Sequence, residues 1–297
     1  MPLVSIVMPC FNHARYVGES IQSVLDQTER DLELIVVDDA SSDDSRRIIE
    51  RARCGDERVK PIYHDKNRGA SEARNSALKV ATGKYIAFCD ADDLWLPTKL
   101  AAQLEALEPY PEIAVIYSDA QIINGKGEKT GRHFSDQFPV PGKGSGNLFN
   151  TLCLRNFINM PTGLVRRVCL KAENYFDPEL RPVEDWWFWL KLARATPFLY
   201  IPEPLVLYRV HEQSSATTEL REPNGLARNR VKVYLKILHS FSDIPPRIVS
   251  QIYYHLGVGL AKVGERKDSQ RAYGRALKVN PVNWKAAARL ILCTVQK

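Results

Sequence analysis

No apolar run in the 297-residue sequence reaches the ~18–20 residues needed to span a bilayer, and the mean hydropathy is −0.28, so no membrane-spanning helix is expected. The strand-like VSIVM starting at Val4 leaves no length for a basic segment followed by an apolar one, so no secretory leader is expected either. The six cysteines (Cys10, Cys54, Cys89, Cys153, Cys169 and Cys293) show neither C-x-x-C spacing nor paired histidines nearby. That pattern argues against a zinc site and fits reduced thiols in the cytoplasm. With 16 Gly and 18 Pro in a chain that is 44% hydrophobic and 26% charged, collagenous, low-complexity and disordered classes are excluded. What is left is a globular chain, long enough for one large domain with a buried core and an appendage.

Positive charge is unevenly placed. Residues 226–297 carry 14 Lys/Arg against three Asp/Glu, a net of +11, which leaves residues 1–225 at −5 within a total of +6. A mildly acidic body with a basic end points to two units with different partners. The basic end is a solvated helical face, a contact for anionic lipid, or a surface for homo-oligomer formation. It lacks any groove-reading or base-stacking motif, so no nucleic-acid partner is expected.

Residues 1–120 alternate strand and helix signals. VSIVM (residues 4–8) is closed by Pro9, and LELIVV (32–37) runs into Asp38-Asp39. Strands are also predicted over 59–63 and 85–89, the latter followed by Asp90-Ala91-Asp92-Asp93. Helical patterns lie over 16–28, 43–53 (with Ser41-Ser42 as N-cap) and 70–80, and Pro97 suits the first turn of another helix. Apolar strands alternating with helices predict an α/β fold with a mainly parallel sheet covered on both faces. Ligands of such sheets bind beyond the carboxyl ends of the strands, where two of the acidic pairs fall. Residues 121–146 are polar and rich in Gly, Lys and Pro, predicting a long surface loop. Strand and helix patterns resume over 161–165, 185–194, 198–201 and 205–209. Residues 212–224 read as a polar lid or linker, and everything beyond reads as helical.

Three acidic segments and one histidine invite chemistry. Asp38-Asp39 serves either a turn or a nucleobase, since a carboxylate accepts from the imide N–H of uracil, thymine or guanine. Asp90 and Asp92, one residue apart, point to one side if extended, and like charges so placed favour a bound hard cation such as Mg²⁺ or Mn²⁺. Glu184-Asp185 precedes the aromatic run Trp186-Trp187-Phe188-Trp189, whose bulk would desolvate a carboxylate and suit it to general-base work; acids matched to a helix N-terminus are the alternative. His211 is a metal ligand or a structural histidine, and neighbouring Arg209 can meet a phosphate.

Four segments, VSIVMPCFNHARYVGESIQSVLDQT with LELIVVDDASSDDS, NRGASEARNSALKVATGKYIAFCDADDLWLP, RPVEDWWFWLKLA and YRVHEQSS, together resemble the family 2 glycosyltransferases over residues 3–216. Cys10 and Phe11 replace the commoner small residue and Tyr, and residues 172–175 lack glycines often found there. The resemblance implies the GT-A nucleotide-diphospho-sugar transferase fold over residues 1–222, with a basic helical region over 223–297. It implies inverting transfer of a sugar from a UDP, dTDP or GDP donor, UDP favoured, to a saccharide or lipid-linked saccharide acceptor. Asp39, with Pro9 and Phe11, would line the base pocket, and Arg74 would approach the nucleotide or its diphosphate. Asp90 would face the ribose or donor sugar. Asp92 and His211 would hold the divalent cation, Arg209 would assist, Glu184 would bind hydroxyls and Asp185 would be the general base. Tyr253, Leu256, Gly257, Leu260, Gly264, Tyr273, Ala276 and Pro281 resemble one tetratricopeptide repeat over residues 250–283, which must dock on neighbouring helices such as 227–241 and 284–294. A sugar nucleotidyltransferase is disfavoured by Pro-Cys-Phe-Asn-His-Ala-Arg where a Gly-rich phosphate loop belongs. A non-catalytic transferase-like scaffold is disfavoured by intact Asp92 and Asp185.

Overall fold

The computed structural model describes residues 1–142, 144–170, 175–212, 214 and 224–295. The stretch expected to form a lid or linker over 212–224 lies almost wholly outside the described residues, as does most of 172–175. The chain divides into two compact units, residues 1–148 with 157–212, and residues 149–156 with 213–297.

In the first unit, strands β1 (Val4–Cys10), β2 (Leu32–Asp38) and β3 (Val59–Tyr63) alternate with helices α1 (Val17–Leu25), α2 (Ser45–Gly55) and α3 (Ala70–Val80). Then come β4 (Tyr85–Phe88), β5 (Leu94–Trp95), α4 (Lys99–Leu107), β6 (Val115–Asn124), β7 (Lys129–His133) and α5 (Phe134–Gln137). The second unit's short α6 (Phe149–Leu152) intervenes before β8 (Leu164–Arg166), α7 (Glu184–Ala195) and β9 (Phe198–Val210). Among the described residues these nine strands form one sheet, in the order β3-β2-β1-β4-β8-β6-β9-β5 with β7 beside β6. The sheet is parallel from β3 to β4, as the alternating pattern predicts, and mixed beyond, where β8 runs antiparallel to both β4 and β6.

Every residue of β2 is buried and only Pro9 of β1 is not, the mark of central strands covered on both faces. Helix α1 inserts Val17, Ile21, Val24 and Leu25 into the core, each contributing roughly 1.5–3 kcal/mol on burial. Helix α3 buries small residues, Ser71, Ala73 and Ala77, against β1 and β2, while the larger Arg74 and Asn75 reach Asp90, Glu184 and Phe176. The aromatic run of α7 is core: Phe188 stacks on Phe176 at 4.4 Å and meets Phe88 of β4 at 5.3 Å. Trp189 fits because residue 163 is glycine, where a Cβ would lie 2.4 Å from the indole.

The expected loop over 121–146 is corrected by the structure. Much of it is an antiparallel ribbon of β6 and β7 turning through 125–128, with Gly127 at φ 84°, and continuing into α5. The Asn124 side chain closes the turn by accepting from the backbone of Lys126 and Glu128. Polar composition cannot separate an exposed ribbon from a loop, and Gly127, the left-handed residue that closes this turn before the chain reverses, is the local hairpin signal. Likewise the two strands expected over 198–201 and 205–209 are one, since a bulge against Asp119 absorbs Pro202 and Glu203 without breaking the pairing with β6.

The second unit is helical: α6, α8 (Gly225–Ser240), α9 (Pro246–Lys262), α10 (Arg266–Val279) and α11 (Trp284–Val295). The α9–α10 pair packs closely through Gly257, where a Cβ would meet Tyr273 at 2.5 Å, and Ser269 donates to the Gly257 carbonyl. Gly259 gives the same close approach to Val231 of α8, and Gln270 donates to the Cys293 carbonyl of α11. Phe149 of α6 meets Phe241 edge-on at 5.2 Å. Among the described residues no helix is long and apolar enough to cross a membrane.

Candidate active site

The loops after β1 and β2 are sewn together by side chains. Asn12, Ser41, Asp43 and Ser45 supply the stitches: Asn12 N–H donates to Ser41 Oγ, His13 N–H to Ser45 Oγ and Ala14 N–H to Asp43, each at 2.9 Å. Asn12 accepts in return from Ser42 N–H. Ser41 and Ser42 therefore do not cap α2, which begins at Ser45 after Asp44. Asn12 (φ 56°) and Ala40 (φ 62°) hold left-handed backbone at these turns, the former being a residue type that tolerates it.

Asp39 sits beside the end of β1, its N–H donating to the Cys10 carbonyl. Its carboxylate accepts from the N–H groups of Arg68 and Gly69 and from the His64 ring at 2.7 Å. It thereby fixes the loop that opens α3. Pro9 is half-buried within β1, and Phe11 just after it is 40% exposed.

Arg74 of α3 joins two segments more than 90 residues apart. It donates to Asp90 at 2.7 Å and to Glu184 at 2.8 Å, and its guanidinium lies 5.4 Å from the Phe176 ring. Next to it, Asn75 exchanges two 2.9 Å hydrogen bonds with the backbone of Phe176, pinning the approach to α7. The buried Arg74 Nε and Glu184 Oε2 have no hydrogen-bond partner, so the bridge keeps polar capacity in reserve. Asp185 is half-buried and accepts from Trp186 N–H. Burial, then the Glu184 charge, push its carboxyl up to about 7, against the opposing pull of that N–H and of Arg74.

A second cluster forms around Asp92. His211, just past β9, lies with Nε2 2.9 Å from Asp92 Oδ2. Arg209 is 1% exposed and committed internally: its N–H donates to Asp93, its Nε to the Asp92 carbonyl and its Nη2 to Glu19 of α1, with the Tyr16 ring 4.7 Å away. It bolts β9 to the D-x-D turn. Burial, then Asp92 and Asp90, raise the Asp93 carboxyl well above the ordinary carboxylate range.

Of the expected residues, the fold joins Arg74, Asp90 and Glu184 directly, Asp92 with His211, and Arg209 with the Asp92 turn. Pro9, Phe11 and Asp39 occupy the neighbouring ends of β1 and β2. Sequence reasoning missed Tyr208 and His13. Burial and then the carboxylates of Asp93, Asp92, Asp90 and Asp185 push the Tyr208 phenol well above its usual range, so the acids of both segments share one neighbourhood. Tyr208 lay within the strand pattern of 205–209, three residues before His211. The His13 ring meets the His211 ring edge-on at 6.0 Å.

Comparison with known proteins bears on the family and the fold. The model of "Glycosyl transferase family 2" matches residues 5–168. Escherichia coli WfgD, a UDP-Glc:alpha-D-GlcNAc-diphosphoundecaprenol beta-1,3-glucosyltransferase, is 31% identical over 266 residues, covering 88% of this chain and 94% of WfgD. An "Uncharacterized glycosyltransferase" of Rickettsia felis is 32% identical over 238 residues, covering 80% of this chain, which spans only 37% of that longer protein. Among solved structures, S. aureus TarS 1–349 in complex with UDP-GlcNAc superposes with a TM-score of 0.68 at 20% identity, covering 94% of this chain and 81% of TarS 1–349. The mannosyltransferase PcManGT of Pyrobaculum calidifontis, in complex with GDP-Man and Mn²⁺, gives 0.64 at 19% identity, covering 99% and 80%. The fold is that of these GT-A enzymes, and the chain belongs to glycosyltransferase family 2.

Proposed function

We propose that the chain is an inverting transferase that moves a sugar from a nucleoside-diphosphate donor, UDP before dTDP or GDP, to a hydroxyl of a saccharide or lipid-linked saccharide in cell-surface polysaccharide or glycolipid synthesis. The observation that carries this reading is the Asp90–Arg74–Glu184 bridge, which ties the D-x-D turn to the helix bearing Asp185. The WfgD name, a UDP-Glc enzyme acting on a diphosphoundecaprenol-linked sugar, supports the donor and acceptor classes.

In this reading Asp39 accepts an imide N–H of the base, with Pro9 and Phe11 along its faces. Arg74 meets the nucleotide diphosphate, and Asp90 the ribose or donor sugar. Asp92 and His211, a carboxylate and an imidazole 2.9 Å apart, suit a divalent cation, Mn²⁺ or Mg²⁺. When bound, that ion supplies charge neutralisation to the departing diphosphate. Arg209 positions this pair rather than touching substrate. Glu184 orients a hydroxyl, and Asp185 takes the acceptor proton as the oxygen attacks the anomeric carbon and the C1–O bond to the diphosphate breaks. A carboxyl near 7 is well matched to that task at neutral pH. One base opposite the leaving group gives inversion, with no carboxylate nucleophile required.

The catalytic domain is assigned to residues 1–222, and residues 223–297, with a tetratricopeptide-like hairpin over 250–283, to docking. The +11 charge of residues 226–297 favours anionic lipid at the cytoplasmic face of the membrane. Liposome flotation tests this, and failure to bind anionic vesicles at low salt retires it. A panel of UDP, dTDP and GDP sugars, scored for binding and then for Mn²⁺- or Mg²⁺-dependent hydrolysis and transfer, tests the activity. Release of pyrophosphate from a nucleoside triphosphate and a sugar phosphate would instead mark a nucleotidyltransferase. Donor binding without turnover on any acceptor would mark a scaffold.

A further inference from the structure

We propose that His13 is a third ligand of the divalent-cation site, making it a two-imidazole, one-carboxylate centre that takes Mn²⁺ or Co²⁺ in preference to Mg²⁺. The inference deepens the reading above, which assigns the ion only to Asp92 and His211. One donor atom from each of His13, Asp92 and His211 lies within 4.8 Å of the other two. Ligands ~2.0–2.2 Å from one ion are at most ~4.4 Å apart, so closure of a few tenths of an ångström suffices.

The placement of His13 is built into the fold. The left-handed Asn12 turns the chain, and the His13 N–H is fastened to Ser45 Oγ, with Ala14 N–H held by Asp43. These bonds hold the His13 backbone at the end of β1 and face its ring edge-on to His211. The His13 Nδ1 is buried yet has no hydrogen-bond partner. A buried imidazole nitrogen left unpaired costs desolvation, which an ion bound at that nitrogen would answer. Room on the other side comes from Gly125, where a Cβ would lie 3.3 Å from both His211 Cβ and Tyr16 Oη. The ribbon turn can therefore lie against the site without displacing the second imidazole.

The donor set decides the selectivity. Mg²⁺ takes oxygen ligands and gives up water reluctantly, whereas imidazole nitrogens suit later divalent ions. Two imidazoles and one carboxylate thus disfavour Mg²⁺ relative to a site of carboxylates alone.

The test is Mn²⁺ titration of the whole chain, with and without UDP, followed by electron spin echo spectroscopy, which counts ligating nitrogens. Wild type is expected to show two imidazole couplings, and His13→Gln one, with Mn²⁺ affinity lowered about tenfold or more and Mg²⁺ affinity little changed. Circular dichroism and the melting temperature confirm that the variant is folded. A single coupling in wild type, or unchanged couplings and affinity in the variant, overturns the proposal without reference to the variant's activity. Two couplings in a protein that transfers no sugar would leave the three-ligand site standing and remove the transferase reading instead.

Discussion

A base at Asp185 makes the pH dependence of transfer calculable. With its carboxyl held near 7, about one-tenth is ionised at pH 6 and about nine-tenths at pH 8, so kcat/KM should rise roughly tenfold across that interval with a log slope near one below the midpoint. The origin of the limb is established by perturbing the neighbours of Asp185. Glu184 is the like charge that raises Asp185, and Arg74 the opposite charge that lowers it. Glu184→Gln should therefore move the acidic limb to lower pH, and Arg74→Met should move it to higher pH. A continuous assay of nucleoside diphosphate release, run from pH 5.5 to 8.5 with saturating Mn²⁺, reads both shifts. Arg74→Met also leaves Asp90 and Glu184 without a counterion, at a cost of about 3–5 kcal/mol in stability, so its profile is measured below its melting transition. A flat wild-type profile, or an acidic limb that neither substitution moves, would refute the assignment of the base.

Asp185→Asn should lower kcat by ~10²–10⁴-fold while the donor still binds by calorimetry, since the amide cannot accept the acceptor's proton; near-wild-type turnover sinks the role. Gly163→Ala should lower stability by about 1–3 kcal/mol in chemical denaturation, because the added methyl meets Trp189 at 2.4 Å in the packed interior of the first unit. Glu33, buried among Ser5, Thr82 and Lys60, has its carboxyl held down to about 2 by hydrogen bonds that outweigh its burial. Because the folded value lies below the unfolded one of 4.5, the stability this group contributes is complete above pH 4.5 and disappears as pH falls towards 2. It amounts to about 3 kcal/mol at most, and Glu33→Gln should flatten the acid limb of the unfolding free energy measured against pH.

Much of the site was legible because its chemistry is local in the chain. The D-x-D turn, the Glu184-Asp185 pair ahead of four aromatic residues, and His211 after a strand each announce themselves within a few positions. Partnerships were not legible. Arg74 could be expected near a diphosphate, but its grip on both Asp90 and Glu184 depends on how α3 packs against β1 and β2. Arg209 was expected to meet a phosphate, and its hold on the Asp92 turn follows from the antiparallel pairing of β9 with β5 next to that turn. His13 carried no signal of its own, since nothing in its neighbourhood of the sequence names a residue almost 200 positions away.

Periodicity and turn residues were enough to determine the parallel half of the sheet, because apolar strands buried on both faces and helices with one apolar stripe leave few other ways to remove their surfaces from water. They were enough, too, to mark which acids fall at strand ends. Tertiary structure alone decided that 121–146 is largely a ribbon rather than a loop, that residues 149–156 belong with the second unit, and that His13, Asp92 and His211 meet. Those outcomes rest on contacts between distant segments, whose energies depend on geometry that no window of neighbouring residues contains.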